Sequence, residues 1–274
     1  MRLPGTHAFF FRGLRPVLGA AIFLAIAAAQ QACNAQQNLF NVPSGEITTA
    51  GGVFFQQQFN FSNIGTSSTT LDFGLPDDWE LGLNFLDFQY YGHSQLLPPS
   101  LFPDQQFGPD ALANFSHSEH LTEHIKLAAG AQIGYCPARR LHSSRLLNFT
   151  YLIAQFEWPT DDETDRDAAG DSGSDIDNDD DVPTPKFWFG EYYANHAYAG
   201  PGASTAFMLG TEIPLIPRKL HFMADYYTGK NDLAIGVIGF VYFTESRWQI
   251  SLGGQAPAPK SGNNPGVVLE LTYL

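Results

Sequence analysis

The chain has 274 residues with 28 acidic against 14 basic side chains, yet only 15% of it is charged, while 14% is aromatic and Gly contributes 26 positions. No basic face exists for a nucleic acid to dock on. After the N-terminal segment, no stretch reaches the roughly 18 consecutive apolar residues that a membrane-spanning helix needs.

Residues 1–35 read as a secretory signal peptide. Arg2, Arg12 and Arg15 form a positive start, residues 17–29 an apolar middle, and Cys33, Asn34 and Ala35 a small-residue cleavage site with the cut after Ala35. Gln30 stands where a lipobox wants an aliphatic residue, so Cys33 is not read as a lipidation site. Once the leader is removed only Cys136 is left, and no intramolecular disulfide can form. Residues 36–52 are a lead-in, which could enter a lumen or extend away from it.

From residue 53 onward, segments with a two-residue period follow one another. Phe55, Gln57, Phe59 and Phe61 oppose Gln56, Gln58 and Asn60; a weaker segment covers 67–74; Trp79, Leu81, Leu83 and Phe85 oppose Glu80, Gly82 and Asn84. Ile125 to Tyr135 alternates over eleven positions, and Leu147, Phe149 and Tyr151 are set against Asn148 and Thr150. Trp188, Gly190 and Tyr192 face away from Glu191. Further segments run through Phe207–Ile213, Leu220–Tyr227, Leu233–Phe243, Trp248–Gly253 and Val267–Tyr273. Many approach the about 9–11 residues a tilted strand needs to cross a bilayer. Aromatics near their ends (Trp79, Tyr135, Trp188, Tyr226, Phe243, Trp248, Tyr273) suit an interfacial girdle. Eleven strands can be counted. A single-chain bacterial barrel has an even number, so twelve are expected, with the missing one hidden in a long loop-like stretch over 89–122. The fold class is all-β: an antiparallel up-and-down transmembrane β-barrel over 53–274.

The net charge of −14 is mostly one segment. Residues 161–181 hold 11 acids and one Arg, a net of −10, which leaves −4 for the rest. This acidic loop, near 157–184, reads as a solvated insertion. Alternating Asp175, Asp177, Asp179 and Asp181 could supply oxygen ligands to Ca²⁺, although position 6 of an EF-hand would be Asp180 instead of Gly, and position 12 Lys186 instead of Glu. His117, His120 and His124 would share one face of a short helix as a transition-metal site. On the predicted strands Glu80, Lys126, Glu191, Glu212, Asp225 and Glu270 are lumen-facing candidates, because a carboxylate facing lipid is costly. They would give a net negative interior. His221 and Ser251 would also face the lumen, away from any lipid substrate, and no defensible catalytic motif is present, so an enzyme is not expected.

The chain resembles bacterial outer-membrane β-barrel proteins of a porin-like kind. The resemblance is carried by the signal peptide, by the lead-in Leu39, Phe40, Asn41, Val42, Pro43, Ser44, Gly45 before a Gln/Phe strand, and by the closing hairpins from Lys219 through Asp225 and Gly229 to Leu274. It implies export to the outer membrane, with membrane lipid and small solutes as partners. One departure is that the closing aromatic, Tyr273, is penultimate and Leu274 ends the chain. The expected function is a passive pore for small solutes with mild cation preference. The alternatives are a non-conducting structural or surface-binding barrel, and a soluble secreted β-sandwich.

Overall fold

The structure is a computed structural model that describes residues 38–91, 110–136, 146–158 and 183–273. The signal peptide and the four alternating aspartates from Asp175 to Asp181 lie outside the described residues.

Among the described residues there are twelve strands: β1 (Val53–Phe61), β2 (Gly65–Leu75), β3 (Trp79–Tyr91), β4 (Asp110–Thr122), β5 (Ile125–Tyr135), β6 (Leu146–Glu157), β7 (Lys186–Ala194), β8 (Thr205–Ile216), β9 (Leu220–Tyr227), β10 (Ile235–Phe243), β11 (Trp248–Pro257) and β12 (Gly266–Tyr273). A single helical turn, α1 (His196–Ala199), sits between β7 and β8. Each strand pairs antiparallel with its sequence neighbours, and β1 closes the ring on β12 with Phe55 opposite Tyr273 and Phe61 opposite Val267. Closure leaves no sheet edge, which is the condition for strands to stand in hydrocarbon.

The two faces have opposite chemistry. On β7, Phe187, Phe189 and Tyr193 are exposed while Trp188, Tyr192 and Ala194 are buried. Leu81, Leu83 and Phe85 on β3, and Ile238, Phe240 and Tyr242 on β10, repeat this outward apolar row. A soluble β-sandwich would bury those rows between two sheets and show water a polar outer face. The closed ring with an apolar exterior overturns that alternative.

The twelfth strand is β4, so the stretch 89–122 is not one long loop: β3 runs on to Tyr91 and pairing resumes at Asp110. The structure also sets the facing of β6 and changes two girdle assignments, Trp188 and Phe243. Leu147 and Phe149 point inward and are buried, while Asn148 and Thr150 take the outer row with Leu146 and Leu152. Trp188 is buried in the lumen, and Phe243 packs against the interior cluster instead of a girdle. Trp248 and Tyr273 do meet on the outside, with ring centroids 5.3 Å apart.

The barrel ends differ. One carries the start of β1, the end of β12, the tight turns at 76–78, 123–124, 217–219 and 244–247, and the connection from β6 to β7 that holds the acidic segment. We term it the terminal end. The opposite, loop end carries 62–64, α1 and its flanks, 228–234, 258–265, and the β3–β4 and β5–β6 connections.

The interior is not filled by strand side chains alone. Residues 38–52 fold back inside the ring before β1 begins. Leu39, Phe40 and Val42 are 0–1% exposed and form one cluster with Trp188, Met208, Met223, Val237 and Val241.

Candidate functional site

The lead-in is held by polar groups from around the wall. The backbone N–H groups of Asn41 and Val42 both donate to Asp225 Oδ2 on β9, and Tyr227 Oη donates to the Asn41 carbonyl at 2.9 Å. Trp188 Nε1 donates to the Ser44 carbonyl and, at 3.0 Å, to Gln155 Oε1. Glu80 Oε2 accepts from the Thr48 N–H at 2.9 Å and from its hydroxyl at 2.7 Å. Five of these bonds engage backbone groups of the lead-in, which are costly to bury unpaired.

Glu46 is the ionic centre of this arrangement. Its Oε2 lies 2.7 Å from Lys126 Nζ on β5 and its Oε1 lies 3.0 Å from Lys186 Nζ on β7, while Gln155 Nε2 donates to Oε1 at 2.8 Å. Burial alone would raise the Glu46 pKa; the Lys186 and Lys126 ammoniums outweigh it and hold the carboxyl down at about 2. Lys186 also meets Glu157 at 3.2 Å, tying the β6 and β7 ends together.

Above the lead-in lies a cavity of about 640 Å³, floored by Phe40, Asn41, Pro43 and Gly45 and reaching Asn63, Gly200, Asp232 and Asn264 at the loop end. Its wall carries Asp72, Glu80, Asp87, Asp110 and Asp232, with Glu46 at the floor, and among the described residues no Lys, Arg or His lines it. Tyr198 of α1, kept protonated by burial and by the nearby Asp87 and Asp110 carboxylates, forms part of the wall with Tyr151 and Phe149.

Of the six lumen-facing candidates, Glu80, Lys126, Glu212, Asp225 and Glu270 stand on inward positions. Glu80, Lys126 and Asp225 bind the lead-in, Glu212 contacts His221 Nδ1, and Glu270 is fully buried on β12. Glu191 is the exception and faces outward. Its row is Phe187, Phe189 and Tyr193, so the interior of β7 belongs to Trp188, Gly190 and Tyr192. It sits three positions from the end of its strand, where a carboxylate costs much less than at mid-bilayer.

The histidine reading also changes. His117 and His120 lie on β4, and an odd spacing on a strand sends them to opposite faces, while His124 lies in the β4–β5 turn. His117 stacks on Trp79 with centroids 4.2 Å apart and contacts the Asp78 carbonyl through Nδ1 at 3.0 Å. Among the described residues no three His, Cys, Asp or Glu side chains converge as metal ligands. Ser251 accepts from Gln249 Nε2 at 3.2 Å and is not paired with His221.

Sequence reasoning missed Glu46, Asp72, Asp110, Asn84 and Asn114. A signal for Asp72 existed in its place between Thr70 and Gly74, opposite Leu71, Phe73 and Leu75. For Glu46 there was none, because no strand period runs through the lead-in.

No protein-family model matches the sequence, and no curated protein is similar to it at a significant level. Solved structures do match. The KdgM porin in complex with disordered oligogalacturonate aligns with a TM-score of 0.51 at 6% identity over 81% of this chain and 98% of that chain. The KdgM porin alone gives 0.49 at 8% identity over the same shares. An outer membrane channel from Pseudomonas putida F1 gives 0.43 at 12% identity over 81% of this chain and 92% of that one. The closed ring of twelve antiparallel strands and the first of these likenesses agree: the chain has the fold of a bacterial outer-membrane, porin-like β-barrel.

Proposed function

We propose that the barrel is a passive pore for small polar solutes with mild cation preference, exported to the outer membrane of a Gram-negative cell after cleavage following Ala35. The observation that carries this is the polar cavity inside a closed barrel, whose wall carries carboxylates and, among the described residues, no basic side chain. The potential of such a cavity draws cations and repels anions. Porin-like barrels carry short turns on the periplasmic side and longer loops outside. The end with both barrel termini and most tight turns is therefore the periplasmic one, and the cavity faces outward. The KdgM neighbour binds oligogalacturonate, a polyanion; the acidic wall here argues against the same solute.

A second reading has its own support. The lead-in fills the lumen beneath the cavity, so the barrel could be closed at rest and act through its outer face. One experiment separates the two. The refolded mature chain and a variant lacking residues 38–48 are placed in planar bilayers under a KCl gradient. The pore reading expects small discrete steps with a cation-favouring reversal potential for the full chain, and several-fold larger steps for the deletion. A full chain that is silent beside a conducting deletion favours the closed barrel. Silence of both, with insertion verified, refutes the pore.

A further inference from the structure

The wall of the cavity on β2, β3 and β4 has more hydrogen-bond acceptors than donors. Asp72, Gly82 and Asn114 lie side by side in register across the three strands, with Glu80 and Ser116 one step nearer the terminal end and Asn84 one step nearer the loops. Asn114 Nδ2 donates to Asp72 Oδ1 at 2.7 Å, which fixes the amide's orientation and turns its oxygen away from that bond. The bare Gly82 makes room for both groups. A methyl at that position would stand 1.6 Å from Asp72 Oδ1 and 2.5 Å from Asn114 Oδ1.

Two oxygens on this wall have no donor. Asn114 Oδ1 and Asn84 Oδ1 are buried without a hydrogen-bond partner, and Asn84 is only 3% exposed. Asp72 is 2% exposed. Buried acceptors left unmatched are rare in native proteins and costly. Here they line a cavity of about 640 Å³, within the range of small-ligand sites. A ligand that answers this wall must bring N–H donors and positive charge.

The adjoining wall on β5 and β6 narrows the class further. Tyr151 lies across Gly130, and the rings of Phe149 and Tyr198 stack at 5.5 Å. Aromatic faces beside carboxylates favour an organic cation. A bare metal ion would want a convergent set of three or more acidic or imidazole ligands, and the described residues hold none.

We propose that Asp72, Glu80, Asn84 and Asn114 form a binding site, reached from the loop end, for an organic cation bearing an ammonium or guanidinium group. The site rests on the reading of the lumen as a solute passage and names the class of solute. Asp72 meets the cation, with the charge of Glu80 behind it held on Thr48 and Ser116; the two asparagine oxygens accept N–H bonds, and Tyr151 and Tyr198 cover the apolar part of the ligand.

Titration calorimetry of the refolded mature chain in detergent, with arginine methyl ester as the probe, tests it. Saturable binding is expected, weakened at least tenfold by Asp72→Asn and by Asn84→Leu, and not displaced by equimolar CaCl₂. The shift in gel mobility on boiling verifies that each variant is folded, and Asn84→Leu serves alone should Asp72→Asn fail to refold. No saturable heat, affinity unchanged in the folded variant, or full displacement by Ca²⁺ overturns the proposal. Conductance of the same preparation keeps it apart from the pore reading. A silent barrel that binds the ester refutes the pore and supports the site, whereas a conducting barrel that does not bind it refutes the site alone.

Discussion

Replacing Glu46 by Gln tests whether the lead-in is fixed by its ionic centre. The substitution keeps the side chain's volume and removes its charge. Lys126 then loses its carboxylate at 2.7 Å, while Lys186 retains Glu157 at 3.2 Å. Breaking one partner out of a buried ion pair costs about 3–5 kcal/mol. The lysine side chains are 12% and 28% exposed, so water reaches them in part, and about 2–3 kcal/mol is the appropriate figure here. At about 1.4 kcal/mol per tenfold, the local opening equilibrium rises roughly 30- to 150-fold. Hydrogen exchange of peptides covering residues 38–52 reads this directly, because exchange of a docked segment follows its opening free energy. The expected result is faster exchange by that factor in the lead-in, with the β9–β12 amides unchanged. Equal protection in variant and parent would refute the reasoning, since the lead-in would then be held by Leu39, Phe40, Val42 and the Asp225 contacts alone.

Three further outcomes are expected. Glu46 titrates at about 2 when docked against about 4.5 when released, so its contribution is complete above pH 4.5 and is lost as pH falls toward 2; single-channel records should show lead-in openings growing through that window, and no change between pH 5 and 2 would count against it. Leu252 is 56% exposed in the middle of β11, so Leu252→Arg should destabilise the barrel by about 2–4 kcal/mol, against a small effect of Glu191→Gln near its strand end; urea unfolding in lipid vesicles measures both, and equal effects would refute the outward lipid face. A side chain at Gly210 would meet Leu39, whose Cδ1 stands 2.0 Å from the position of its Cβ, so Gly210→Phe should displace the start of the lead-in and raise conductance without touching Glu46; unchanged conductance in a folded barrel would refute that contact.

Much of the barrel was legible because lipid imposes strict alternation. Leu81, Leu83 and Phe85 opposite Glu80, Gly82 and Asn84 leave only one solution. β4 escaped because its outer row begins with Ala111 and Ala113, which signal weakly, and because its His-rich end imitated a metal-binding helix. β6 and β7 show the limit of the rule. Their inward rows are Leu147, Phe149, Ile153 and Trp188, Tyr192, as apolar as the outward ones. With both faces apolar, periodicity identifies the strand but cannot orient it, and Glu191 was assigned to the wrong side for that reason.

What makes those inward rows apolar is the lead-in itself. About eight strands enclose an interior that wall side chains can fill, while about sixteen leave a water channel; twelve leave a space between these limits, and here a segment of the same chain occupies part of it. The wall is shaped for that occupant. Gly210 faces Leu39, Gly253 faces the Phe40 ring, and Gly74 lies under the Thr49 carbonyl at a distance no side chain would allow. Glycine inside a strand marks a close approach, and inward glycines on strands this far apart in sequence can be approached together only by something inside the ring. The acidic groups then divide by height. Glu46, Asp225 and Glu80 are engaged in holding the lead-in, whereas Asp72, with Asn84 and Asn114, faces the cavity above it. Selectivity in this barrel therefore belongs to the upper wall and closure to the lower one, and substitutions at Asp72 and at Glu46 should separate the two.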